Sequence, residues 1–354
     1  MNSLTNFNFH NRASGQFFLS RQEEAKTIAN HIQNKTNVVL YSGYKTGKQS
    51  LITQAFDILD KSKYEYILIT LDLFNISSLE SFISSYSKKL LDISKRLDQN
   101  ALFPLSMDES KLRKLPALMD FPDRMGSIYG REFIIYFKNF HNVLNFNRSE
   151  AFLEAFEKAM GKRTNSTYVV SGSCVNMMRY IFEQKKYCFN MFEPMQLAPL
   201  RIEDVSEFLE NTFMRTGRVI DKEISETIYD ICGGHPWYIM QMASFCYNIT
   251  LGYVNGGVIA EAKKMLLSLH LPRFMQMIGD LTENQVNFLR AVNNGVERYT
   301  SAEVMSKYHL NSSANVARIK EAMKKKEILM FDDKERGEVI DPLFKYWLKN
   351  YYFV

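Results

Sequence analysis

The sequence predicts an α/β protein: a parallel sheet wrapped by helices, then a small helical segment, then a short module of three helices and a ribbon. Three observations carry this. Apolar runs such as 66–71 and 133–137 alternate with helix-periodic stretches, the pattern of strand–helix–strand crossovers. The runs are continuous rather than alternating, which suits strands buried on both faces. From Arg201 onward the strands stop and helical periodicity takes over.

The first helix is expected from Ser20 as N-cap, with Glu23 completing a capping box, to about Asn34. Residues 38–41 form the first strand and 66–71 the second, which leaves the sheet through Asp72. Ser77 or Ser78 caps a helix running to Leu91. Residues 96–130, with Pro104, Pro116 and Pro122, read as a connecting excursion with short helices. Strands at 133–137, 168–173 and 195–198 follow, separated by helices at 149–160 and 175–182. Helices at 202–213, 222–232 and 236–250 form the all-helical segment; glycine ends the second of these and proline starts the third in Gly233-Gly234-His235-Pro236. Helices at 282–293, 301–308 and 313–326, with a ribbon pairing 328–331 and 338–340, make a winged helix. The expected division is therefore a flexible lead (1–16), an α/β core (17–200), a helical lid (201–280) and the winged helix (281–354).

Composition sets the frame for function. The chain has 354 residues, 46% hydrophobic and 23% charged, and is long enough for two or three ordinary globular domains. A net charge of +5 is mild and demands no nucleic-acid partner. No window approaches ~18 uninterrupted apolar residues, so no membrane span is expected. The polar start has neither the basic nor the apolar block of a signal peptide, and Cys174, Cys188, Cys232 and Cys246 form no CxxC pair. Buried, reduced thiols in the cytoplasm are expected, without a zinc site.

Residues 37–51 read NVVLYSGYKTGKQSL. A buried strand passes through a glycine turn into a helix whose Leu51, Ile52, Ala55, Phe56 and Leu59 share one face. This is the geometry of a phosphate-binding loop, in which backbone N–H groups and a helix N-terminus wrap the anion and a lysine reaches its outer oxygens. The loop residues are Ser42, Gly43, Tyr44, Lys45, Thr46, Gly47, Lys48, Gln49 and Ser50. Ser42 occupies the first glycine slot, and Gln49 occupies the Ser/Thr slot that normally holds Mg²⁺. Ser50 lies a further ~100° around the helix, so its hydroxyl points elsewhere. The competing reading of the same stretch is a strand–turn–helix that needs glycine only for tight packing.

Six segments in order carry a resemblance: Phe18-Leu19-Ser20-Arg21; Ser42 to Ile52; Lys138-Asn139-Phe140; Gly172-Ser173-Cys174 with Met177-Met178; Gly233-Gly234-His235-Pro236; and Asp341-Pro342-Leu343-Phe344 with Trp347-Leu348. Together they resemble the archaeal-type ATPase family of AAA+/STAND P-loop NTPases, over about residues 17–350. The resemblance implies a P-loop NTPase core with lid and winged helix, and ATP or ADP as ligand. It implies that Arg21 lies near the adenine end, that Ser173 approaches the γ-phosphate, and that His235 and Pro236 lie near the nucleotide. Read without it, these are a surface arginine, a helix-capping serine and a helix junction.

The family's metal-holding Asp and water-activating Glu fall on Lys138 and Asn139. Neither can act as a general base at neutral pH, one being cationic and the other non-titrating. Phosphoryl transfer depends on metal and positioned charge, so a hydrolysis-deficient pseudoenzyme is expected, with no ordinary Mg²⁺ site and no confident catalytic residue. Lys138 would place a cation where the metal belongs. A working ATPase would need ligands supplied from elsewhere, such as a second subunit. Asp72 closes its strand at the carboxyl edge, where a structural role is favoured.

In the winged helix, Arg318, Lys320, Lys324, Lys325 and Lys326 cluster, yet residues 281–354 hold 12 Lys and Arg against 10 Asp and Glu, and the wing carries Asp332, Asp333 and Glu335. That balance is thin for a duplex binder. A protein partner is expected through this domain, with DNA as the alternative and no oligomeric state specified. The terminal aromatics Phe344, Tyr346, Trp347, Tyr351, Tyr352 and Phe353 read as packing groups.

Overall fold

The computed structural model describes Phe7 and residues 18–97, 111–183 and 187–354. These fall into two compact units. One comprises Gln22–Tyr44 and Leu51–Leu197; the other comprises Lys45–Ser50, Ala198–Val354 and the described residues up to Arg21. Apart from Phe7, the expected lead lies outside the described residues, as do Phe17 and the part of the proline-bearing excursion that holds Pro104. Phe7 is buried, its ring 5.0 Å from Phe213 and 5.9 Å from Tyr247.

The first unit is built on a parallel sheet of β1 (Val38–Tyr41), β2 (Tyr66–Asp72), β3 (Glu132–Lys138), β4 (Ser166–Gly172) and β5 (Glu193–Gln196), in the order β2-β3-β4-β1-β5. Every residue of β1 and β4 is buried, and all of β3 except Lys138. Successive side chains point to opposite faces, so both faces of these strands are covered. β2 departs from expectation. It is an edge strand, and Leu68 and Asp72 are exposed. Its apolar run cannot distinguish the edge of a parallel sheet from its centre, because strand order is set by non-local pairing.

The helices α1 (Gln22–Gln33), α2 (Lys48–Lys61), α3 (Leu79–Leu97), α4 (Lys111–Tyr129), α5 (Ser149–Met160) and α6 (Val175–Phe182) connect the strands. Three expectations need correction here. Ser20 does not cap α1. Ser20 and Arg21 are both left-handed (φ 56° and 70°), whereas an N-cap is extended; the Ser20 hydroxyl bonds Asp204, and Glu23 pairs with Lys26 at 2.7 Å. α3, which Ser78 caps by accepting from the Ser81 N–H at 3.1 Å, runs six residues past Leu91. Much of the excursion at 96–130 is one helix, α4, with Pro116 and Pro122 inside it. An interior proline costs about 3 kcal/mol. Leu115, Leu118, Met119, Phe121 and Met125 are all buried, at about 1.5–3 kcal/mol each, and that outweighs two prolines.

The second unit holds α7 (Ile202–Met214), α8 (Lys222–Cys232), α9 (Pro236–Ile249), α10 (Gly256–Gly279), α11 (Glu283–Asn293), α12 (Ala302–Lys307), α13 (Ser313–Lys325), the antiparallel ribbon β6 (Leu329–Phe331) and β7 (Gly337–Val339), and α14 (Pro342–Trp347). The 24-residue α10 has no counterpart in the sequence reading. Asn-Gly-Gly looks like a turn, but Asn255 caps α10 by accepting from Gly257 and Val258 N–H groups at 3.0 and 3.1 Å. Thr282 and Gln285 form a capping box on α11. Cys188, Cys232 and Cys246 are buried free thiols, with Cys246 pushed up to about 12 by burial; Cys174 is only half-buried. Phe344 and Trp347 are core residues, while Tyr351 is exposed.

Candidate phosphate-binding site

β1 is flanked by β4 and β5, with Tyr41 in register with Gly172 on one side and Gln196 on the other. Ser42 and Ser173 are therefore the first residues beyond two neighbouring strands. Ser42 is buried and its N–H donates to the Gly172 carbonyl at 3.4 Å. The Ser173 N–H donates to Nδ1 of His141 at 3.4 Å. The order of the sheet thus brings the loop's first residue and the expected γ-phosphate serine to one edge.

The turn into α2 uses two left-handed residues, Lys45 (φ 56°) and Gly47 (φ 94°). A Cβ at Gly47 would meet nothing within 4 Å, so glycine serves the backbone conformation there rather than close packing. This bears on the competing reading of the loop, since a turn built only for tight packing would crowd that position. Lys48 opens α2, buried, with Nζ 3.3 Å from the Thr46 hydroxyl. The first turn of α2 carries no acid, leaving the positive end of the helix uncompensated by its own side chains. Gln49 and Ser50 are half-buried beside it. The loop and helix start can hold phosphate oxygens through N–H groups and an ammonium.

At the carboxyl end of β3, Lys138 is in register with Asp72 of β2 and lies 5.5 Å from the Tyr136 ring centroid. Asn139 is left-handed (φ 53°), and its amide donates to Oδ1 of Asp72 at 2.8 Å. The same oxygen accepts the Phe74 N–H at 3.0 Å, so Asp72 closes the turn that leaves β2.

Arg21, His235 and Pro236 belong to the second unit, as do Lys45 to Ser50. Arg21 is buried and donates to the Ala198 carbonyl at 2.6 Å. Gly233 ends α8 in the left-handed region, and a Cβ there would come within 2.6 Å of Pro342 Cβ. His235 is the N-cap residue of α9, buried with its ring 4.5 Å from that of Tyr238, and Pro236 opens the helix. The junction chemistry expected of this tetrapeptide is present in full. One residue further, Trp237 receives Lys45 Nζ at 4.1 Å from its ring centroid. Trp237 and His141 were not singled out from the sequence; each directly follows a segment that was, and that adjacency is the signal that could have found them.

A fastening of α14 was also invisible in the chain. Tyr238 donates to Oδ2 of Asp341 at 2.8 Å, and Arg273 donates to the same oxygen at 2.6 Å and to the Tyr238 hydroxyl at 2.7 Å. Oδ1 of Asp341 accepts the Leu343 and Phe344 N–H groups at 3.0 Å each, capping α14.

Residues 272–350 match the family model described as a probable winged helix domain. The walker-type ATPase PABY2304 of Pyrococcus abyssi superposes with a TM-score of 0.68 over 97% of this chain and 99% of that one, at 18% identity. The chain has the fold of a P-loop ATPase with a winged helix near its C-terminus. The ORC2 protein of Aeropyrum pernix, solved in ADPNP–ADP complexes, shares the fold at a TM-score of 0.60 and 11% identity, covering 97% of this chain and 94% of that one. No curated protein matches the sequence. In the P-loop ATPase frame, α13 and the β6–β7 ribbon are the helix and wing of the winged helix. Lys320 of α13 pairs with Glu335 of the wing at 2.8 Å, and within the wing Asp332 pairs with Arg336 at 2.7 Å. Within α13 Lys324 pairs with Glu321 at 3.0 Å. Lys326 donates to the Asp280 carbonyl at 2.8 Å.

Proposed function

We propose that this chain binds a nucleotide through its P-loop, does not hydrolyse it at an ordinary rate, and presents its winged helix to a protein partner. The observation that carries the reading is the end of β3, where Lys138 and Asn139 stand and the Asn139 amide is turned onto Asp72. Phosphate binding needs only loop N–H groups and an ammonium, and these residues are present. Mg²⁺ requires near-octahedral oxygen ligation. Gln49 puts a longer neutral amide where the hydroxyl ligand belongs and Lys138 puts a cation where a carboxylate belongs, so the residues present do not fit Mg²⁺. ATP or ADP would be held by the loop Ser42 to Ser50. Core (17–200), lid (201–280) and winged helix (281–354) are the proposed working parts of a cytoplasmic pseudoenzyme.

Calorimetric titration with ATP and ADP, repeated in chelator, tests this. Binding that survives chelation and is lost in Lys48→Ala is the expected result. Absence of heat with either nucleotide overturns it, and so does brisk Mg²⁺-driven phosphate release abolished by Lys48→Ala, which would establish a working ATPase.

The ion pair from α13 to the wing and the one within α13 favour a protein partner over duplex DNA, because Lys320 and Lys324 are already committed within the domain. Salt-dependent duplex binding lost on neutralising Lys324, Lys325 and Lys326 would reverse that choice.

A further inference from the structure

The loop carries two lysines with different commitments. Lys48 lies buried beside the Thr46 hydroxyl. Lys45 is exposed on the left-handed turn and places its Nζ 4.1 Å from the centroid of the Trp237 ring, in the first turn of α9. That indole is held in place by its neighbours: its ring lies 5.1 Å from that of His270, edge-on, and 5.3 Å from that of Tyr238. Tyr238 is itself fastened to Asp341. A cation over an aromatic face is attracted more weakly than one in a charge-assisted bond to a phosphate oxygen.

We propose that Trp237 restrains the loop: it holds the Lys45 ammonium on its face, and a phosphoryl ligand must draw that ammonium off the ring in order to bind. The inference rests on the reading that the P-loop binds phosphoryl groups. It assigns Trp237 a sign opposite to that of a ligand contact. A tryptophan that stacked on a base would add affinity, whereas one that competes for Lys45 subtracts it, by the reciprocity of coupled equilibria.

Inorganic triphosphate, which has no base to stack, is the probe, titrated into the full chain by calorimetry at low salt. Trp237→Leu should tighten binding by about 2- to 30-fold, the range spanned by a cation–π contact, while Lys45→Met should weaken it. In a Trp347→Phe background Trp237 is the sole tryptophan. Saturating triphosphate should shift its emission in the direction that Lys45→Met shifts it without triphosphate. If Trp237→Leu fails to fold, Trp237→Phe should show a smaller tightening, and the emission comparison still decides. Binding by the unaltered chain that is equal or weaker in the Trp237 variant overturns the inference and leaves the loop reading standing. Binding seen only in the Trp237 variant supports it. No heat in either protein removes the loop reading, and this inference with it.

Discussion

The side-chain amide of Asn139 donates to the Asp72 carboxylate at 2.8 Å, joining the ends of β3 and β2. Asn139 is thus a hydrogen-bond donor serving the turn that leaves β2. Its left-handed backbone (φ 53°) suits asparagine, which tolerates that region.

Replacing Asn139 should separate these two contributions. Asn139→Ala loses the bond to Asp72 and replaces a residue that tolerates the left-handed region with one that does not, costing about 1–2 kcal/mol. Asn139→Gly relieves the backbone and should cost less. Urea midpoints with unchanged slope would show it, and equal losses in the two variants would remove the backbone argument.

Gly47→Ala should cost global stability no more than about 1–2 kcal/mol of backbone strain and abolish nucleotide affinity. Its φ of 94° strains any other residue, while the open space around it spares the core. The strain would be confined to the loop. Calorimetry paired with a thermal melt reads both halves of the prediction.

Asp341 holds Arg273, Tyr238 and the first amides of α14. Asp341→Ala removes the cap and the ion pair together and should cost about 2–4 kcal/mol. Tyr238→Phe should cost about 1 kcal/mol. The double variant should fall short of the sum, since both share one oxygen. Strict additivity in a denaturation cycle would mean that the oxygen is not shared.

His270 is buried with Nε2 2.8 Å from Gln241 Oε1, and its pKa falls from 6.5 to about 4, chiefly through burial and then through Arg273. A folded value below the unfolded one means that the unfolded chain takes up the proton first. The stability due to the neutral ring is present above pH 6.5 and is lost as pH falls toward 4. Between pH 7 and pH 5 the loss should be about 2 kcal/mol. Urea unfolding at both values, compared with His270→Gln, isolates it; an equal pH dependence in the variant would refute the assignment.

Much of the architecture was legible in residues that interact with near neighbours. The limits of α5, α6 and α8 follow from periodicity and punctuation, and Thr282 with Gln285 makes its capping box within four residues. The strand–glycine–helix loop likewise announced itself, because a backbone turn is written where it occurs. Errors arose where distant residues intervened. Ser20 looked like a cap, but its hydroxyl bonds Asp204, 184 positions away. The prolines of α4 looked like breaks, and buried side chains overrode them.

The site divides along the same line. Residue types alone showed that Gln49, Lys138 and Asn139 cannot supply a hydroxyl ligand, a metal-holding Asp or a base, since titration and ligation belong to the side chain itself. That Asn139 serves Asp72, Lys45 lies on Trp237 and Asp341 secures Arg273 could be known only from the folded chain. Each is a contact between groups about 70 to 190 residues apart, and folding alone brings such groups within bonding distance.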